Sequence, residues 1–121
     1  MLKNEVVENN FFRHVFSYDS LENTVYRKCR FTRADFVEAT ITNCDFFNCS
    51  LDSMDATSSL FVDCTFTDCL FISTSFSKST FIHCTFQEPP WPGRPQRSMK
   101  NVHNLGYSNK GGVRSLRSAA T

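Results

Sequence analysis

Six cysteines, three histidines and a scatter of carboxylates are the side chains here with reactivity to offer. A thiol can close a disulfide, hold zinc or act as a nucleophile, and each use makes its own demand. Zinc needs four converging ligands, whereas these thiols face phenylalanines with no histidine between them. A catalytic thiol needs exposure and a neighbouring base. A disulfide needs a sulfur dihedral near ~90°, which parallel, in-register side chains rarely reach. The reading left is buried free thiols acting as small apolar residues, which does not fix the redox compartment. His14 has no partner at catalytic or metal spacing and reads as a capping side chain. There is no glycine-rich phosphate loop, no carboxylate pair on a cleft and no Ser, His and Asp set, so no enzyme, metal or cofactor is expected.

The placement of the cysteines shows what must position them. Cys29, Cys44, Cys49, Cys64, Cys69 and Cys84 all fall on one five-residue register, shared with Thr24, Ala34, Ala39, Met54, Ser59, Thr74 and Ser79. Two residues later runs a bulky register that holds 11 of the 13 phenylalanines, with only Phe12 and Phe47 outside it. A helix repeats near 3.6 residues and a strand at 2, so a strict period of five requires a bend in every unit. If each unit is one side of a square, four sides make a coil of 20 residues, and coils stack at about the ~4.8 Å strand spacing. The bulky residues then fill the axis, and the small ones let the backbone turn the corner.

Stacking by 20 gives four sides. One carries Tyr26, Phe46, Phe66 and Phe86, the next Phe31, Leu51 and Phe71, the third Phe36, Ala56 and Phe76, and the last Ile41, Phe61 and Phe81. The cysteines fall into two columns, 29-49-69 and 44-64-84. Ala56 is small where the rule asks for bulk, and Met54 is large where it asks for a small residue. The pair exchanges volume, so the axis stays filled.

Ala34-Asp35-Phe36-Val37-Glu38 and Cys64-Thr65-Phe66-Thr67-Asp68 resemble the repeat of the pentapeptide-repeat family. That resemblance implies a right-handed quadrilateral β-helix, all-β, of about three to four coils. The run from Leu51 to Ala56 into Leu60 to Asp68 is similar, further, to the luminal pentapeptide-repeat domain of synaptic vesicle glycoprotein 2 transporters. It implies a recognition module cut from a larger membrane protein, facing a vesicle lumen or the cell exterior. The sequon Asn48-Cys49-Ser50 would then be a glycan site. The family's later sequons are not matched, because Asp63-Cys64-Thr65 and His83-Cys84-Thr85 stand in their place.

Three segments follow. Residues 1–23 keep the bulky register at Phe11, Phe16 and Leu21 but put Asn9, His14 and Asp19 in the small position. They read as a cap, partly helical over 2–14 or an irregular first coil. Residues 24–88 are the β-helix. Residues 89–121 open on Pro89, Pro90 and Pro92, which end a ladder; Trp91 can lid the last coil. The basic remainder, +6 with no acid from Arg94 onward, is expected to be disordered. It can bind nucleic acid or anionic lipid, fold against the body or stay solvated. No apolar run reaches the ~20 residues of a membrane span, so the chain as given is expected to be soluble.

Residues 34–86 carry seven acids against Lys78, although the whole chain is at +1. Leu60, Val62 and Ile82 fall near one another on one side, Leu70 and Ile72 on another, and Phe47 alone. These are the candidate contact surface, and exposed strand edges offer a second route to a protein partner. No small-molecule substrate is expected, nucleic acid is disfavoured, and membrane contact follows only from a larger transporter. The reading is a non-enzymatic recognition module of the transporter type. One alternative is a free-standing, cytoplasmic rod that binds a protein through acidic faces by mimicking DNA; another is a non-functional fragment.

Overall fold

A computed structural model describes residues 2–87 and 110–114. Nine strands form one parallel sheet wound into a solenoid. Strands β1 (Asn4–Val7), β3 (Thr24–Arg27), β5 (Asp45–Phe47) and β7 (Thr65–Thr67) stack on one side; β2 (Ser20–Glu22), β4 (Thr40–Thr42) and β6 (Leu60–Val62) stack on another. Strand β8 (Thr80–Gln87) rounds a corner and pairs with both stacks. Every pairing in β1–β8 joins residues 20 apart, such as Tyr26 with Phe46 and Ile41 with Phe61. The other two sides are held by single bridges, Arg30 to Ser50 to Leu70 and Asp35 to Asp55 to Ser75. Four coils result, with the square cross-section the five-residue period demands.

The interior is as the two registers require. Phe31, Phe36, Phe46, Phe61, Phe66, Phe71, Phe76, Phe81 and Phe86 are all buried, as are the six cysteines. Rings one coil apart stack nearly flat, Phe46 on Phe66 at 4.9 Å and 5° and Phe61 on Phe81 at 4.9 Å and 10°. Rings on adjacent sides meet edge-on, Phe61 to Phe66 at 5.8 Å and 66°. Both arrangements suit the quadrupole of an aromatic ring.

The corner is made differently from the sequence expectation. The residue that bends the chain is not the small one but the one two places after the bulky residue. Sixteen successive units, from Glu8 to His83, hold a non-glycine residue there at φ between 51° and 64°. On the Phe31 and Phe36 sides a four-residue turn closes across it, with the Ala34 N–H donating to the Phe31 carbonyl at 3.0 Å and Arg33 at φ 60°. A left-handed residue costs ~1–2 kcal/mol without glycine. The stack offsets this, because from Glu8 to Asp63 each such N–H donates to the next coil, Arg33 to the Asp52 carbonyl at 3.1 Å and Asn48 to that of Thr67 at 2.8 Å. Small residues are still required, because their side chains are sealed beneath the corner.

The described residues contain no helix, which corrects the helical alternative for residues 2–14. Val6, Phe11, Phe16 and Leu21 recur every five residues, a spacing that cannot line one helix face. Parallel pairing with the second coil satisfies their backbone instead, Val6 in the ladder from Asn4 to Val7, Phe11 and Phe16 through the Arg30 and Asp35 carbonyls, and Leu21 against Ile41. Lys3 reaches two coils up to Asp45 at 2.8 Å. At the other end, Lys110–Arg114 forms β9, parallel to β8. The prolines, Trp91 and the rest of the basic tail lie outside the described residues. Among the described residues no helix is long and apolar enough to cross a membrane.

Candidate functional site

The chain's reactivity lies in its thiols. All six are free and buried. Each of five donates to a carbonyl one coil below: Cys29 to Val6, Cys49 to Tyr26 and Cys69 to Phe46 in one column, Cys64 to Ile41 and Cys84 to Phe61 in the other, at 3.3–3.4 Å. Ser59, Ser79 and Thr74 occupy the same position and also give their hydroxyls to carbonyls, those of Ala56, Phe76 and Leu51. The small register is therefore a column of buried donors as well as of small volumes, a role that size alone does not disclose. Burial pushes Cys29, Cys44 and Cys69 up; the hydrogen bond with Cys84, then burial, pushes Cys64 up. Cys49 is drawn down by the neighbouring Cys69 thiol and Cys84 by the neighbouring Cys64 thiol, but both are sealed from solvent. No group of three potential metal ligands occurs among the described residues. His14 packs on Phe16, ring centres 4.4 Å apart, at the rim of the first coil.

Chemistry is thus left to the outer surface. Leu60, Val62 and Ile82 are half-buried; Val62 and Ile82 are register neighbours, and Leu60 lies beside Thr80. Leu70 and Ile72 are exposed on either side of buried Phe71. Phe47 is not free, because the Arg27 guanidinium lies 4.8 Å over its ring while also reaching Glu5 at 3.2 Å. Asn48 is exposed at a left-handed corner.

The acids do not gather on one side. Asp45 is held by Lys3, Asp52 accepts from Thr32 at 2.9 Å, and Asp63 lies 3.6 Å from His83. Asp35 and Asp55 are stacked bridge partners, and each accepts from the backbone two residues on, Val37 and Thr57. A basic cluster escaped the sequence reading. Phe12 lies under two guanidinium groups, Arg30 at 4.6 Å and Arg13 at 5.3 Å. Adding 20 to Asn10 places Arg30 one coil above Phe12's neighbour, and that arithmetic was the available signal.

The Pentapeptide repeat region model matches residues 19–89, more than half of the chain. The chain belongs to the pentapeptide repeat family. No curated protein matches it significantly. Among solved structures, the pentapeptide repeat protein Rfr23 from the cyanobacterium Cyanothece 51142 is 8% identical with a TM-score of 0.53, over 92% of this chain and 84% of that one. QnrB1, a plasmid-mediated fluoroquinolone resistance protein, is 18% identical with a TM-score of 0.47 over 72% of this chain. This pentapeptide repeat chain spans only 44% of QnrB1. HetL, involved in heterocyst differentiation regulation in Nostoc sp. strain PCC 7120, is 12% identical with a TM-score of 0.29, over 67% of this chain and 57% of that one. The Rfr23 likeness shows the fold alone.

Proposed function

We propose that this pentapeptide repeat chain is a non-enzymatic rod that recognises a protein partner through one of its side faces. The observation that carries the reading is the filled interior: phenylalanine rings and thiols occupy the axis, and the groups free to meet a partner stand in columns repeated every 20 residues outside. A stiff lattice of side chains suits recognition because little conformational entropy is lost on contact. A photo-crosslinking residue placed in turn at Phe47, Ile72, Val37 and Ile82, one per side, tests it in the native cell. Adducts to protein from one side, with the others blank, are expected. Adducts from none, or equally from all four, overturn it.

A second reading has one observation in its favour. Asp35 and Asp55 stack in a column with Glu38 at the adjoining corner, the kind of regular charge that a DNA-binding enzyme meets on a phosphate backbone. Titrating the protein into a DNA gyrase supercoiling assay tests it; unchanged supercoiling at high protein excess rejects it. The transporter-type, luminal reading rests on the resemblance of residues 51–68. Met54 and Ala56, central to that resemblance, are both fully buried, so core volume accounts for them without shared descent. An Asn48 glycan on the protein from its native cell would support that reading, and a bare Asn48 counts against it.

A further inference from the structure

The side centred on Phe31 differs from the other three in how its outward groups are ordered from bottom to top. In the first coil Phe12 is 40% exposed, clasped by Arg13 and Arg30. In the second, Arg30 and Arg33 flank Thr32, and neither they nor Arg13 has a carboxylate partner among the described residues. In the third stands Asp52. In the fourth are Leu70 and Ile72, which are, among the described residues, the only exposed large apolar side chains above the first coil. The order is therefore a ring held under guanidinium groups, a cationic pair, an anion that accepts from the Thr32 hydroxyl of the coil below at 2.9 Å, and an apolar pair.

That order is complementary to itself when reversed. We propose that this side is a self-association surface on which a second copy of this chain lies antiparallel, about a twofold axis perpendicular to the rod. Such an axis sets the first coil against the fourth and the second against the third, and makes every contact twice. Phe12 meets Ile72 of the second copy, burying apolar groups that solvent otherwise reaches. Asp52 of the second copy arrives opposite Thr32, between Arg30 and Arg33, where a guanidinium fork matches a carboxylate. A parallel arrangement instead sets the arginines of the two copies against each other, which repels. A nucleic acid would gain nothing from Leu70 and Ile72 and would be repelled by Asp52. Four coils at ~4.8 Å make the face about 19 Å tall, which is below the size of standard specific interfaces, so the dimer is weak and salt-sensitive. This association goes beyond recognition of a foreign protein and does not require it.

Sedimentation equilibrium from about 10 µM to about 1 mM covers the affinities such a face can deliver. The dimer fraction of the natural chain is expected to rise across that range and fall with added salt. Asp52→Arg alone, or Arg30→Glu with Arg33→Glu, is expected to weaken association about tenfold or more. All three changes in one chain should restore it, because the swapped charges again face their opposites across the twofold. Ile72→Asp should also abolish association, while Val62→Asp, on the Ile41 side, should leave it unchanged. The proposal is overturned by a monomer at every concentration, by charge variants without effect, by a triple variant that does not recover, or by Val62→Asp acting as strongly as Ile72→Asp. Thermal melts of each variant separate lost association from lost fold.

Discussion

Two of the four sides of the coil solve the same packing problem differently. On the Tyr26 side, rings stack without interruption: Tyr26 on Phe46 at 5.1 Å, Phe46 on Phe66 at 4.9 Å, Phe66 on Phe86 at 4.7 Å, all within 14° of parallel. On the Phe36 side the stack begins with Phe16 on Phe36 at 4.8 Å and 41°, then breaks at Ala56 before Phe76. Yet Ala56 and Met54 are as well buried as any ring. The interior therefore specifies the volume of each layer, not the identity of each residue. An unbroken ring column adds a term of its own, ~0.5–1.5 kcal/mol per aromatic pair beyond burial.

The largest test of that contrast is Phe46→Ala, which removes a ring stacked above and below. A loss of about 3–5 kcal/mol is expected from urea unfolding. Phe36→Ala removes a ring stacked on one neighbour only and should cost less by about one aromatic pair term. Equal losses would mean that the unbroken column contributes burial alone. Next is the exchange itself. Ala56→Phe should overpack the layer and cost about 1–3 kcal/mol, and Met54→Ala should open a cavity. The double variant should be more stable than the sum of the two losses predicts, because the sites share one volume. Additive losses would show that Met54 and Ala56 are independent.

The same contrast explains what was legible in the sequence. Inward positions carry their constraint in residue type, because any polar or oversized side chain there would be costly. The period, the four sides, the buried cysteines and the Met54–Ala56 exchange could therefore be read directly. The left-handed corners could not. Arg33, Glu38, Ser58 and Lys78 are not residues that signal positive φ, and the strain is accepted only because hydrogen bonds to the next coil fix it. The first coil was obscured for a related reason: Asn9, His14 and Asp19 break the small register where they are exposed, so the pattern fades although the backbone continues. The Phe12 cluster could be reached only by adding 20 to Asn10, and the Lys3–Asp45 pair, which spans two coils, is not encoded by a five-residue pattern.

The smallest effect lies in Tyr26, the one ring of the unbroken column that can acquire a charge. Its phenol is pushed up to about 12, first by burial and then by the neighbouring Cys44. The folded chain thus favours the neutral phenol more than the unfolded chain, in which it titrates near ~10. The stability this contributes is fully present below pH ~10 and is lost as pH rises from there through about 12. Burial pushes several thiols up as well, so the natural chain alone cannot isolate the phenol. Tyr26→Phe keeps the ring and its stack on Phe46 while removing the titrating group. Its urea midpoint should therefore fall less than that of the natural chain between pH 9 and pH 12 (roughly the span between the two titrations). Parallel declines would place the alkaline loss in the cysteine columns and leave the ring column indifferent to pH.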